Sequence, residues 1–179
     1  MHKLGDAALG KRHELVELRL AERLLLGQAV LVHEAALGPV DDLAGLELLL
    51  EAVRHHGLSI RYILLTHAHL DHITGVGRAK AALGAPVVLH RDDNFLYEAV
   101  VQQGQSFGFD VDPQPPVDQF YDGMGPWSFG NYSAWVHHTP GHCPGGVCLA
   151  VGRDGDARRT IFVGDTLFAG SIGRTDLPG

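Results

Sequence analysis

The sequence predicts an α/β fold in a single domain spanning residues 1–179, and three observations carry that expectation. Apolar segments of strand length alternate with segments of helical period. No internal repeat, low-complexity tract or linker divides them. A chain of 179 residues is also close to the size of one domain, and at that size folding buries about 70% of the surface the unfolded chain exposes.

The elements follow in chain order. In residues 13–26, Leu15, Leu18 and the run Leu24, Leu25, Leu26 share a helical face, and Gly27 ends it. Residues 29–32 are apolar and of strand length. Asp41 and Asp42 open a second helix, where two acids suit the positive end of the dipole. Its apolar side is Leu43, Leu46, Leu50 and Val53, and Gly57 lies just past its end. Residues 60–66 form an apolar run rich in branched side chains, a buried strand. Residues 75–83 are helical and closed by Gly84, and residues 86–90 form a strand. Asp92 and Asp93 are placed to cap a helix running through Val101. Residues 104–130 carry Gly, Pro and Asp among scattered aromatics, an irregular connection with room for one strand. Residues 132–137 alternate as a strand does, and residues 147–151 and 160–163 form a hairpin around Arg153-Asp154-Gly155-Asp156.

Composition narrows the function. Fourteen Lys and Arg against 21 Asp and Glu give a net charge of −7, which argues against a general electrostatic grip on nucleic acid or an anionic membrane. No segment approaches the roughly 18 consecutive apolar residues of a membrane span. The first dozen residues hold no apolar run that would read as a secretory signal. Two cysteines, Cys143 and Cys148, make no disulfide framework and are expected to be buried small residues. The expectation is a soluble, cytoplasmic protein that acts on a small molecule.

The unusual count is 12 histidines. Thr66-His67-Ala68-His69-Leu70-Asp71-His72 follows the buried strand directly. Residues two apart on an extended segment point the same way, so His67 and His69 can share one cation, and Asp71 and His72 can turn toward a second position. One histidine at a strand end is an ordinary loop residue; four donors in six residues are a metal signature. A second group, His138-Thr139-Pro140-Gly141-His142-Cys143-Pro144-Gly145-Gly146, again follows a strand, and two Pro-Gly steps hold His142 in a stiff turn. His138 is placed to orient that turn by a hydrogen bond. In Gly164-Asp165-Thr166-Leu167-Phe168 the Asp165 carboxylate can bridge two cations. His2, His13, His33, His55 and His56 lie outside any motif and are expected to be solvated, and His90, at a strand end, to be structural. Arg174 either steers an acidic substrate or pairs with Asp176.

These motifs, with the final Gly173-Arg174-Thr175-Asp176-Leu177-Pro178-Gly179, resemble the metallo-β-lactamase superfamily, and within it the glyoxalase II-type hydrolases. The resemblance covers residues 60–179; residues 1–59 match poorly. It implies a four-layer αββα sandwich, incomplete at both ends, with metals at one edge of the two sheets. It assigns His67, His69 and His142 to a first divalent metal ion, Asp71 and His72 to a second, and Asp165 to the bridge. Zinc is the first expectation for both metals, with iron or manganese as alternatives. The second position is short of one ligand, because the family supplies a further histidine on a later loop. The implied activity is hydrolysis of a small thioester such as a hydroxyacyl-glutathione, with Asp71 orienting the attacking water or taking its proton. The alternatives are a persulfide dioxygenase with one iron held by His67, His142 and Asp165, and an inactive metal-binding fragment.

Overall fold

Two stacked β-sheets with helices against one of them make up the computed structural model, which describes residues 29–32, 43–121, 123 and 125–177. The first sheet is parallel and ordered β1 (Ala29–Val32), β2 (Tyr62–Leu65), β3 (Val87–Leu89), β4 (Gln119–Phe120). Parallel neighbours need crossovers, which helices commonly supply. Here α1 (Leu43–His55) joins β1 to β2, and α2 (Leu70–Ile73) and α3 (Val76–Leu83) join β2 to β3. A 3-10 turn (Arg91–Asp93), α4 (Asn94–Glu98) and α5 (Val100–Ser106) then lead toward β4. The second sheet is antiparallel: β5 (Trp127–Phe129), β6 (Tyr132–His138), β7 (Val147–Gly152), β8 (Thr160–Phe162). After a 3-10 turn (Gly164–Thr166), β9 (Leu167–Phe168) and β10 (Ser171–Ile172) form a small hairpin.

The two-residue period of a strand explains the layers. Ile63, Leu65, Val87 and Leu89 pack with Leu49 of α1 and with Ile73, Val76, Leu96 and Val100. Leu64 and Val88 join the other cluster, with Trp127, Phe129, Ala134, Val147, Leu149 and Val151 of the second sheet. All six of these β2 and β3 residues are 0% exposed, so both faces of the parallel sheet are covered. Each such side chain contributes roughly 1.5–3 kcal/mol by leaving water. That is why these strands read as unbroken apolar runs in the sequence.

Most expected elements are present, β1 and the β7–β8 hairpin among them. The helix expected over residues 13–26, and His2, His13 and His33, lie outside the described residues. Two expectations need correction. The helix through Val101 starts as a 3-10 turn, breaks at Ala99 and runs on to Ser106. Asp93 caps nothing there, because its carboxylate points inward. The connection over residues 104–130 holds two short strands, not one, the second with Trp127 and Phe129 buried and Ser128 exposed. Among the described residues the layers are helices, parallel sheet and antiparallel sheet; a helical layer on the outer face of the second sheet is not among them. Nor is any described helix long and apolar enough to cross a membrane.

Candidate metal centre

The three motifs meet at one edge of the paired sheets. The Val147 amide of β7 donates to the Thr66 carbonyl just past β2, at 2.9 Å, and joins the sheets there. Beyond Thr66 the chain stays extended, with His69 at φ −74°, ψ 156°, so His67 and His69 leave on the same side. α2 then turns the chain, and the His72 amide donates to the His69 carbonyl at 3.0 Å. His67 and His72 end 2% and 1% exposed. The third motif lies directly on the first. Gly164 has φ +51°, and a Cβ added there would stand 2.7 Å from Thr66 Oγ1. A glycine is required on both counts.

The donors converge in two groups, His67 with His69 and His142, and His67 with His72 and Asp165. Within each group one ligand atom per residue lies within 4.8 Å of the others. His69 Nδ1 is 2.8 Å from His142 Nε2. Asp165 stands between the groups, with Oδ1 3.2 Å from His72 Nε2 and Oδ2 3.6 Å from His142 Nε2. His142 is oriented from behind: Nδ1–H donates to the Arg174 carbonyl at 2.8 Å, which leaves Nε2 to face the cluster. Burial, and then the neighbouring His142, hold the His69 imidazole below its ordinary pKa. Four imidazoles beside a carboxylate form a donor set that fits zinc, iron or manganese.

Five of the seven site residues singled out in the sequence are thus brought together. Asp71 stands at the rim, outside both groups, half-exposed and with Oδ2 3.7 Å from His72 Nε2. The Arg174 side chain is exposed and bidentate on Asp176, at 2.7 and 2.8 Å, and that pairing lowers the Asp176 carboxyl to about 2. Its carbonyl, not its guanidinium, reaches the cluster. Cys143 and Cys148 are buried, and burial, with Asp93 beside it, pushes the Cys143 thiol well up. His138 Nε2–H donates to the Pro144 carbonyl at 2.8 Å and so orients the turn as expected. His55 and His56 are exposed.

Two supporting residues escaped the sequence reading. Asp93 is fully buried, and its carboxylate accepts the Ala68 amide, between His67 and His69, at 3.0 Å. Its other oxygen accepts the Gly145 amide, three residues past His142. Gln103 accepts the Leu70 amide at 3.0 Å and donates to the Ala68 and Leu96 carbonyls at 3.0 and 2.7 Å. The acidic pair Asp92-Asp93 was the available signal, and it reads equally well as a helix cap.

Two expected results arise from this packing. A Cβ at Gly173 would fall on the Asp165 carbonyl oxygen and within 3.2 Å of the His142 Cβ. Gly173→Ala should therefore cost roughly 1–3 kcal/mol by overpacking and lower bound metal, measured by thermal melting and metal analysis. The lowered pKa of His69 means that folding favours its neutral form. Its contribution is present above the unfolded value of about 6.5 and is lost as pH falls below it. Protons compete with metal for the same nitrogens, so metal affinity falls in the same direction. Urea midpoints and metal titrations across pH 5 to 8, roughly the range in which histidine changes charge, check the sign; stability rising toward acid would contradict it.

Comparisons with known proteins agree with this architecture. The model of the metallo-beta-lactamase superfamily matches residues 36–179, beginning well before the motifs do. The chain is similar to the probable metallo-hydrolase YqgX of Bacillus subtilis (strain 168), at 38% identity over 129 residues, 71% of this chain and 59% of that protein. It is also similar to the hydroxyacylglutathione hydrolase GloC of Haemophilus influenzae, at 33% identity over 135 residues, 74% of this chain and 61% of that one. The chain spans about three fifths of the length of these curated relatives. Among solved structures, a di-iron-bound form of TTHA1623 matches with a TM-score of 0.63 and 36% identity, covering 84% of this chain and 68% of that one. BLEG-1, a B3 metallo-beta-lactamase, matches with a TM-score of 0.66 and 30% identity, covering 85% and 68%. A family model that spans residues 36–179, on a fold with both sheets in place, makes this chain a member of the metallo-β-lactamase superfamily.

Proposed function

We propose that the chain carries a two-metal hydrolytic centre acting on a small thioester of the hydroxyacyl-glutathione kind. The observation that carries this reading is the Asp165 carboxylate, one oxygen toward His72 and the other toward His142, which joins the two donor groups. His67, His69 and His142 would hold one divalent cation, and His72 and Asp165 the other, with Asp71 turning in from the rim. Two such cations supply hydroxide near neutral pH and polarise the carbonyl under attack. The protein's part is to hold the donors. The Arg174 carbonyl fixes the His142 tautomer, and Asp93 ties the two histidine loops together. Asp71 is half-exposed and close to His72, placed to take the proton that water gives up. A thioester suits such a site because a thiol, with an ordinary pKa of about 8.5, leaves as thiolate with little acid assistance. Similarity to GloC supports the same substrate class. His72, 3.2 Å from Asp165, favours this reading over a one-iron dioxygenase, which needs only His67, His142 and Asp165.

The ligand count predicts unequal affinities. Three imidazoles and the Asp165 carboxylate would hold the first cation, and one imidazole with carboxylates alone the second. At this centre zinc should bind in one tight and one loose step, with slow thiol release from a hydroxyacyl-glutathione that appears only as the loose position fills. Thiol release no faster than that of His67→Ala at saturating metal would refute the hydrolase. Oxygen uptake with a persulfide by the iron-loaded chain would replace it with the dioxygenase.

A further inference from the structure

Away from this centre, a second set of donors spans the seam between the two sheets. His90 follows β3 of the parallel sheet, His138 ends β6 of the antiparallel sheet, and Asp92 lies on the 3-10 turn after β3. One ligand atom from each lies within 4.8 Å of the other two. The two imidazoles stack, with centroids 4.1 Å apart and planes 14° from parallel, and His90 Nδ1 is 3.8 Å from Asp92 Oδ2. His138 gives its Nε2–H to the Pro144 carbonyl, which fixes the tautomer and leaves the Nδ1 lone pair available. His142 has the same relation to the Arg174 carbonyl, and metal-ligating histidines characteristically have it. Among the described residues, the His90 Nδ1 lone pair accepts only the Asp92 amide, at 3.3 Å, a long bond that a cation can replace.

We propose that His90, Asp92 and His138 form a further divalent-cation site, of the zinc class, that clasps the two sheets. Two imidazoles and one carboxylate, with solvent completing the shell, are a known zinc donor set. The rings are near-parallel, so one must tilt for both lone pairs to meet at a single ion; rotation of the exposed His138 ring about its Cβ–Cγ bond swings Nδ1 while moving Nε2 little, so the Pro144 contact is kept. An ion there acts on the loop that carries His142 from both sides. His138 holds Pro144, and Asp93, next to Asp92, holds Gly145. Its role is therefore structural, stiffening one wall of the candidate metal centre without belonging to it.

The test is zinc stoichiometry and melting of the full chain. Asp92→Asn is the decisive variant, because the side chain is exposed and the fold should tolerate the change. At saturating micromolar zinc, the unaltered chain should bind about one zinc more than Asp92→Asn or His138→Ala. Its melting temperature should also rise further on adding zinc, since an ion that binds only the folded state stabilises it. Without zinc, the unaltered chain and Asp92→Asn should melt together. In His67→Ala, which is changed in both donor groups of the other centre, the extra zinc should persist and disappear again on adding Asp92→Asn. Equal zinc content and an equal zinc-induced shift in the unaltered chain and Asp92→Asn would overturn the proposal, whatever happens to His138→Ala.

Discussion

Replacing His67 by alanine is expected to empty the tight cation position and to disturb the loose one beside it. His67 is the one residue common to the two donor groups, and it is almost fully buried. Removing a residue that merely orients a ligand costs roughly 10–100-fold in metal affinity, and loss of a ligand itself should cost more. Bound metal and thiol release should therefore fall together, while far-UV circular dichroism shows the sheets intact. His142→Ala provides the parallel case on a loop, where a folding defect is less of a concern. It should lose the tight cation first, because it belongs only to the three-histidine group. Near-normal metal content in both variants would sink the assignment of the centre.

What could be read from the sequence depended on how local each signal was. β2 and β3 were legible because both of their faces are buried, so every residue in them is apolar. His67, His69, His72, His142 and Asp165 were legible because each belongs to a short motif that follows a strand, beside neighbours that make the same chemical sense. β4 and β5 were not, since two or three residues in a Gly- and Pro-rich stretch leave almost no periodicity. The break at Ala99 has no glycine or proline to announce it. Arg174 illustrates the limit differently: the sequence offers its side chain either to an acidic substrate or to Asp176, and the pair with Asp176 forms, but the group that reaches the cluster is its main-chain carbonyl. A carbonyl is common to every residue and leaves no trace in composition. Asp93 and Gln103 were missed for the same reason, because their partners are backbone groups up to 52 residues away.

Asp93→Ala should have the largest effect of any change outside the ligands themselves. The carboxylate is fully buried and accepts two amides, one from each histidine-bearing loop. Hydrogen bonds to a charged group contribute roughly 1.5–3 kcal/mol each, and removing the acceptor leaves both amides buried without it. A loss of about 3 kcal/mol or more is therefore expected, a large share of the roughly 5–15 kcal/mol that keeps a domain folded. Asp93→Asn keeps the shape and one acceptor oxygen but turns an N–H2 group toward the second amide, so it should retain about half of the contribution. The loss should also reach the metal. With the loops no longer tied to one another, His142 can drift from His67 and His69, and zinc affinity should drop by about 10–100-fold, as for other supporting partners. Zinc should then restore part of the lost stability in Asp93→Asn, because binding to the folded state shifts the equilibrium back. A loss of stability that zinc does not offset at all would make Asp93 a plain core residue. Unchanged urea midpoints and zinc affinity in Asp93→Ala would show that the loops are held by other means, with the Gln103 amide the first to examine.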